Sequence, residues 1–132
     1  MGLIRRILRM NGGIKNTWRE VDVIFDSGST NCFIRADVAQ EFCNVLDLDT
    51  PEEYTTANGD KILVTQMCIW AAEIDGVMVR DQAFLLPQIG VDVEMIIGTP
   101  TFQRYQIKLE FSEDGEDFVR VTRPPVNLLL NI

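Results

Sequence analysis

The chain contains no histidine. That absence removes Ser-His and Cys-His catalytic pairs and any His-ligated metal site. Cysteine is scarce. Cys32, Cys43 and Cys68 are too few and too scattered for a disulfide framework or a four-ligand zinc site, and each reads as a small buried apolar residue. No apolar run is long enough to span a membrane. The start, Met1-Gly2-Leu3-Ile4-Arg5-Arg6, lacks the continuous apolar stretch of a signal peptide, and Arg6 stands where a myristoylation signal wants Ser or Thr. Positive charge is short as well. The 12 Lys and Arg against 20 Asp and Glu leave a net charge of −8, which disfavours a nucleic-acid-binding surface and fits a solvated acidic one. Carboxylate, lysine, tyrosine and backbone remain for any chemistry. The expectation is a chain with no metal and no cofactor, no nucleic-acid or membrane partner, and a cytoplasmic, reducing setting.

What is present fits one ordinary globular domain over residues 1–132, with 46% hydrophobic and 24% charged residues and enough length to bury a core without staples. Turn signals are frequent: Asn11-Gly12-Gly13, Asn58-Gly59, Asp75-Gly76 and the polar run Ser112 to Asp117. Between them lie short apolar or alternating runs. Gly2 to Met10 reads as an edge strand, Trp18 to Phe25 as the central one, and Cys32 to Ile34 as a short return. Arg35 to Cys43 has Val38, Ala39 and Phe42 at helical spacing, with Asp37 near the positive end of the dipole. Val45 to Thr50 is extended and Pro51 is expected to interrupt it. Glu53 to Ala57 and Lys61 to Trp70 flank Asn58-Gly59; Ala71 to Ile74 and Val77 to Leu86 flank Asp75-Gly76. Val93 to Ile97 reads as a buried strand, and Thr99-Pro100 as a helix start with Thr as N-cap. Strands follow at Tyr105 to Phe111, Phe118 to Thr122 and Val126 to Leu130. Many short strands with one or two short helices predict an all-β, closed, mostly antiparallel barrel.

The chemistry concentrates in Val21-Asp22-Val23-Ile24-Phe25-Asp26-Ser27-Gly28-Ser29-Thr30. An apolar strand runs straight into an acid, which needs compensation there. Gly28 allows a sharp turn and a close approach of its amide to the carboxylate. Ile24-Phe25-Asp26-Ser27-Gly28-Ser29 resembles the catalytic signature of aspartic proteases. Met95-Ile96-Ile97-Gly98 resembles the second signature of the retroviral type, and Ala57-Asn58-Gly59-Asp60 stands where retropepsin-like enzymes carry a flap. The three pieces follow the family's order over roughly residues 18 to 112, which is far more specific than one Asp-Ser-Gly.

The resemblance implies a retropepsin-type barrel, homodimeric, with a flap about residues 54–68 and a tail, 123–132, serving as a dimer strand or pointing elsewhere. It implies an aspartic endopeptidase that cleaves extended peptide, matures a polyprotein, and belongs with retroviral or LTR-retrotransposon proteases in the cytoplasm or a virus-like particle. Such catalysis needs two carboxylates sharing one proton. The chain has one Asp-Ser-Gly, so the second Asp26 would come from another copy. Ser27 stands where the family bonds backbone across the dimer axis. Ser29 matches the two-lobed pattern, in which a hydroxyl bonds the outer carboxylate oxygen. Thr30 and Thr99 replace an Asp and Arg that many retroviral enzymes pair near the interface. Asn58, Gly59, Asp60 and Ile96 are the expected substrate-binding residues, with Phe84 and Leu86 as further wall candidates; Ile96, Phe84 and Leu86 each read more readily as core than as pocket. The other reading of the same residues is a catalytically silent domain that dimerises or binds peptide.

Overall fold

The computed structural model describes residues 3–12, 17–90 and 92–122. Alternation along strand β2 (Trp18–Asp26) decides the architecture. Val21, Val23 and Phe25 are fully buried, whereas Asp22, Ile24 and Asp26 point to the opposite face and are half-buried. One face therefore builds a core and the other builds a site, as a period of two requires. Strand β1 (Leu3–Asn11) pairs antiparallel with β2 along its length. The chain then forms β3 (Phe33–Arg35), α1 (Ala36–Phe42), β4 (Val45–Thr55), β5 (Lys61–Ile74), β6 (Val77–Leu86), β7 (Met95–Ile97), α2 (Thr99–Tyr105), β8 (Ile107–Glu110) and β9 (Phe118–Val121).

The strands lie in the order β1-β2-β7-β3-β6-β5, and Met10↔Ala72 and Asn11↔Ala71 join β1 back to β5, closing a six-strand barrel. Closure removes the open edges that an isolated sheet would expose. The expected all-β barrel with two short helices is what the chain adopts. β4 runs alongside β5 as an arm outside the ring. β8 and β9 form a separate ribbon, tied to the β5–β6 turn where the Val121 amide donates to Asp75 Oδ2 at 3.0 Å. That turn is a two-residue hairpin with Asp75 and Gly76 both at positive φ.

The main core fills the barrel with Met10, Phe25, Ile34, Trp70, Met95 and Ile97, and α1 caps it through Val38, Ala39 and Phe42. All three cysteines are buried thiols. A second apolar cluster lies outside the barrel under the β4–β5 arm, around Val64, Phe84, Leu86, Ile89 and Val93.

Central to the site is β7, which inserts between β2 and β3: parallel to β2 through Ile24↔Ile96, antiparallel to β3 through Phe33↔Ile96. An ionic cluster holds the entry end of this arrangement. The Glu94 carboxylate accepts from the Asp22 amide at 2.9 Å and from Arg19 at 3.0 and 3.1 Å, while the Arg35 amide donates to the Glu94 carbonyl at 2.9 Å. Arg19 also pairs with Glu41 of α1, and Arg5 forks onto Asp22 at 2.6 and 2.8 Å. The bonds from Arg19 and the Asp22 amide hold the Glu94 carboxyl below its usual range, against the opposing pull of partial burial.

Several boundaries differ from the sequence expectations. β4 passes through Pro51 without breaking. Its register shifts between Asp47 and Glu52, so Pro51, which has no N–H to donate, falls where the ladder is already interrupted. β5 is one long strand through Trp70 and Ala71. Gly98, not Thr99, is the N-cap of α2; Thr99 is its first residue, and its hydroxyl donates elsewhere. Tyr105 ends α2 instead of starting a strand, because Gln106 turns left-handed at φ 47°. The strand expected at Val126 to Leu130 lies outside the described residues.

Candidate active site

β2 delivers Asp26 to the barrel mouth on the same face as Ile24. The chain then turns back, with the Ser29 amide donating to the Asp26 carbonyl at 3.1 Å and the Gly28 amide to Asp26 Oδ1 at 2.9 Å. A backbone donor so placed fixes the carboxylate's orientation. The loop is clamped from the β7 side: the Thr99 amide donates to the Ser29 carbonyl at 2.8 Å, and the Thr99 hydroxyl to the Ser27 carbonyl at 3.0 Å.

Gly98 makes this clamp possible by size. A Cβ there would sit 2.3 Å from the Asn31 carbonyl oxygen and 2.7 Å from that of Ser29. Only a hydrogen fits between the two crossing backbones. Behind the crossing runs a directional chain of bonds. The Gly98 amide donates to Cys32 Sγ at 3.4 Å, Cys32 meets the Thr101 hydroxyl at 3.1 Å, and Thr101 donates to Asp81 Oδ2 at 2.8 Å. The hydroxyl has one proton, which goes to the carboxylate, so the Cys32 thiol is the donor to Thr101. Burial pushes that thiol up and keeps it protonated.

Asp26 borders a cleft of about 400 Å³. Its floor, Ile96 and Phe33 with Leu86, belongs to a row of residues in register across five strands: Ile24↔Ile96, Ile96↔Phe33, Phe33↔Phe84 and Phe84↔Met67. Its roof is the β4–β5 arm, through Tyr54, Thr55, Thr56, Ala57 and Ile62. Asp26 is the one carboxylate among the lining residues. A hollow of similar size, about 490 Å³, lies beside Asp22 and Glu94, but there these two carboxylates are engaged with Arg5, Arg19 and the Asp22 amide.

Of the residues expected at the site, Asp26, Gly28, Ser29, Ile96 and Leu86 line this cleft. Phe84 joins the floor row and packs on Phe33. Ser27 is exposed beside it. Asn58, Gly59 and Asp60 form the exposed tip of the arm beyond the cleft lining. There the Gly59 amide donates to the Thr56 carbonyl at 2.9 Å, with Gly59 at φ 86°. The turn is thus a three-residue loop ending in a left-handed glycine. Ser29 departs from expectation. Its hydroxyl donates to the Asn31 carbonyl at 2.8 Å, so its only proton is not on the Asp26 carboxylate. Thr30 lines the cleft and Thr99 closes the clamp, which gives these two positions roles without an ion pair.

Sequence reasoning missed Asn31, Phe33, Tyr54 and Ile62. The Tyr54 hydroxyl accepts from Asn31 Nδ2 at 3.1 Å and donates to Glu52 Oε2 at 2.8 Å. Burial and the adjoining Glu52 carboxylate push this phenol up to about 12. Its ring meets Phe33 edge-on at 5.2 Å and Phe84 at 5.7 Å. The signal for Phe33 was its parity: it shares a face with Ile96 once the strands are paired.

Barrel, clamped acid loop and cleft together define the class, an all-β acid-protease fold of the retropepsin type. The chain belongs to the aspartyl protease family, whose model matches residues 8–101. Among solved structures, the retroviral protease-like domain of Ddi1 from Leishmania major is similar in fold, with a TM-score of 0.52 at 12% identity over 79% of each chain. A retropepsin-like aspartic protease from Rickettsia conorii is also similar, with a TM-score of 0.45 at 13% identity over 91% of this chain and 99% of that one. No curated protein matches the sequence. No described helix is long and apolar enough to cross a membrane, and the described residues contain no His, Cys, Asp and Glu cluster suited to a metal.

Proposed function

We propose that the chain is an aspartic endopeptidase assembled from two copies, with a water held between their two Asp26 carboxyls. The observation that carries this reading is Asp26 itself: oriented by the Gly28 amide, bordering an apolar cleft, and the one acid there. Acid–base hydrolysis of an amide needs a second carboxyl about 3 Å away. Two such groups share one proton, because both cannot ionise at that separation. The ionised member removes a proton from water as the oxygen attacks the scissile carbonyl carbon. The protonated member gives its proton to the carbonyl oxygen. The tetrahedral adduct then breaks at the C–N bond, with a proton passing to the leaving amine.

A two-fold axis between the Asp26 loops supplies the partner acid and doubles the cleft, so that a peptide lies extended across both halves. Ser27, exposed at the loop tip, faces that axis and holds the two loops together. The arm about 54–68 acts as a flap that closes over the peptide and excludes water, with Asn58, Gly59 and Asp60 leading the closure. Apolar side chains flanking the cut rest on the row formed by Ile24, Ile96 and Phe33. We read the chain as one such domain; the tail, 123–132, lies outside the described residues. Polyprotein maturation, as in retroviral and LTR-retrotransposon systems, is the biological role this reading implies.

Two readouts test it. Cleavage of apolar peptides at acidic pH should be abolished by Asp26→Asn, and sedimentation should give twice the chain mass. Cleavage by Asp26→Asn at the wild-type rate would refute the chemistry. Folded chain that binds such peptides without cutting them would leave a silent binding domain instead.

A further inference from the structure

Tyr54 does more than line the cleft. It sits on β4 two residues before the arm's turn begins at Thr56, and its hydroxyl reaches Asn31 on the far shoulder of the Asp26 loop. That shoulder is rigidly held. The Asn31 carbonyl accepts the Ser29 hydroxyl and lies against Gly98, and the next residue, Cys32, starts the bonded chain to Thr101 and Asp81. On its other side the phenol donates to Glu52 of its own strand, an acceptor that orients the hydroxyl so that its lone pair faces Asn31. Edge-on contact with Phe33 and the tilted contact with Phe84 fix the ring.

We propose that Tyr54 is the positioning residue that latches the arm to the Asp26 loop, through the relay Asn31–Tyr54–Glu52, and so sets the height of the flap above the bound peptide. The proposal rests on the endopeptidase reading for its kinetic consequence but not for the latch itself. Among the described residues the arm has few other tethers to the loop. Its turn is bonded internally, from the Thr56 amide to the Asp60 carbonyl and from the Gly59 amide to the Thr56 carbonyl, and the tip is exposed. Without the latch the arm lifts from the loop and its ladder frays from the turn back toward the register shift at Asp47 to Glu52. Peptide would then meet a more open cleft and bind less well, while the Asp26 loop, clamped separately by Thr99, keeps its geometry.

Tyr54→Phe keeps the ring and removes both bonds, so folding is preserved. Amide hydrogen exchange in the unliganded chain should accelerate at Thr56 and Gly59 on the order of tenfold, as loss of the Asn31–Tyr54 bond from an opening equilibrium implies, with the Cys68–Ile74 amides unchanged. Asn31→Ala should give the same acceleration, and the double variant no more than either alone, because one bond is being cut twice. Glu52→Gln, which keeps an acceptor, should retain slow exchange where Glu52→Ala loses it. In peptide cleavage, Tyr54→Phe should raise KM by about tenfold and leave kcat within about twofold. Unchanged exchange at Thr56 and Gly59, additive effects of Tyr54→Phe and Asn31→Ala, or a fall in kcat with KM unmoved would each overturn the latch. If the wild-type chain cleaves nothing, the endopeptidase reading fails while the exchange series still decides the latch.

Discussion

Gly98→Ala adds one methyl where the backbone crossing leaves room for a hydrogen. The new carbon would stand 2.3 Å from the Asn31 carbonyl oxygen and 2.7 Å from that of Ser29. Reaching an ordinary van der Waals separation needs roughly 1 Å of movement. Neither oxygen is free to give way. The Ser29 carbonyl accepts the Thr99 amide at 2.8 Å, and the Asn31 carbonyl accepts the Ser29 hydroxyl at 2.8 Å. Overpacking of this kind costs about 1–3 kcal/mol, and losing one or two of these bonds adds about 1 kcal/mol each. The expected loss is therefore about 2–5 kcal/mol, out of a total stability of about 5–15 kcal/mol. A loop displaced by about 1 Å should also lower kcat/KM on the order of a hundredfold in the fraction that remains folded. Urea denaturation gives the first quantity and peptide cleavage by the folded variant the second. A Gly98→Ala chain within about 0.5 kcal/mol of the parent would refute the steric reasoning.

Other substitutions probe the neighbouring contacts. Thr101→Val keeps shape but leaves Asp81 Oδ2 and the Cys32 thiol without their shared partner; it should cost about 1–3 kcal/mol in urea denaturation, and a neutral result would remove the bonded chain from the account. Ser29→Ala should cost about 0.5–1.5 kcal/mol and leave the acid limb of the pH–rate profile in place, since its hydroxyl serves Asn31 and not Asp26; a displaced limb would contradict that bond. Glu94 titrates lower in the folded chain than its ordinary 4.5. Its contribution is therefore fully present above that value and lost as pH falls through the folded-state value. Asp22, lowered from 3.8 by its bond from Arg5, adds a second loss further down. Urea midpoints measured against pH should fall below 4.5, and Glu94→Gln should flatten the upper part of that fall. An unchanged slope would show that the cluster at the entry of β2 and β7 is not what acid dismantles.

Strand β2 shows how much of the fold is legible in the sequence. Its alternation places Val21, Val23 and Phe25 in one core and Asp26 on the other face, and both follow from local period alone. The acid loop and the arm's turn are likewise written in contiguous residues. The floor of the cleft is not. Ile24, Ile96, Phe33, Phe84 and Met67 become neighbours only because β7 inserts between β2 and β3, an outcome of long-range register. Tyr54 was hidden for the same reason, since its partner Asn31 comes from another element. Thr99 and Ser29 misled differently. Each has a hydroxyl suited to the local role assigned to it, a cap or a carboxylate bond, but Thr99 is drawn to the Ser27 carbonyl brought near by the crossing at Gly98, and Ser29 to the Asn31 carbonyl two residues on.

Mixing wild-type chain with Asp26→Asn chain at equal amounts and fixed total concentration tests the central claim most directly. If one site is built from two acids on two copies, random assortment leaves about one quarter of the pairs intact, and peptide cleavage should fall to about one quarter of the wild-type rate. A fall to only about one half would mean that each chain works alone, and the shared site would be wrong.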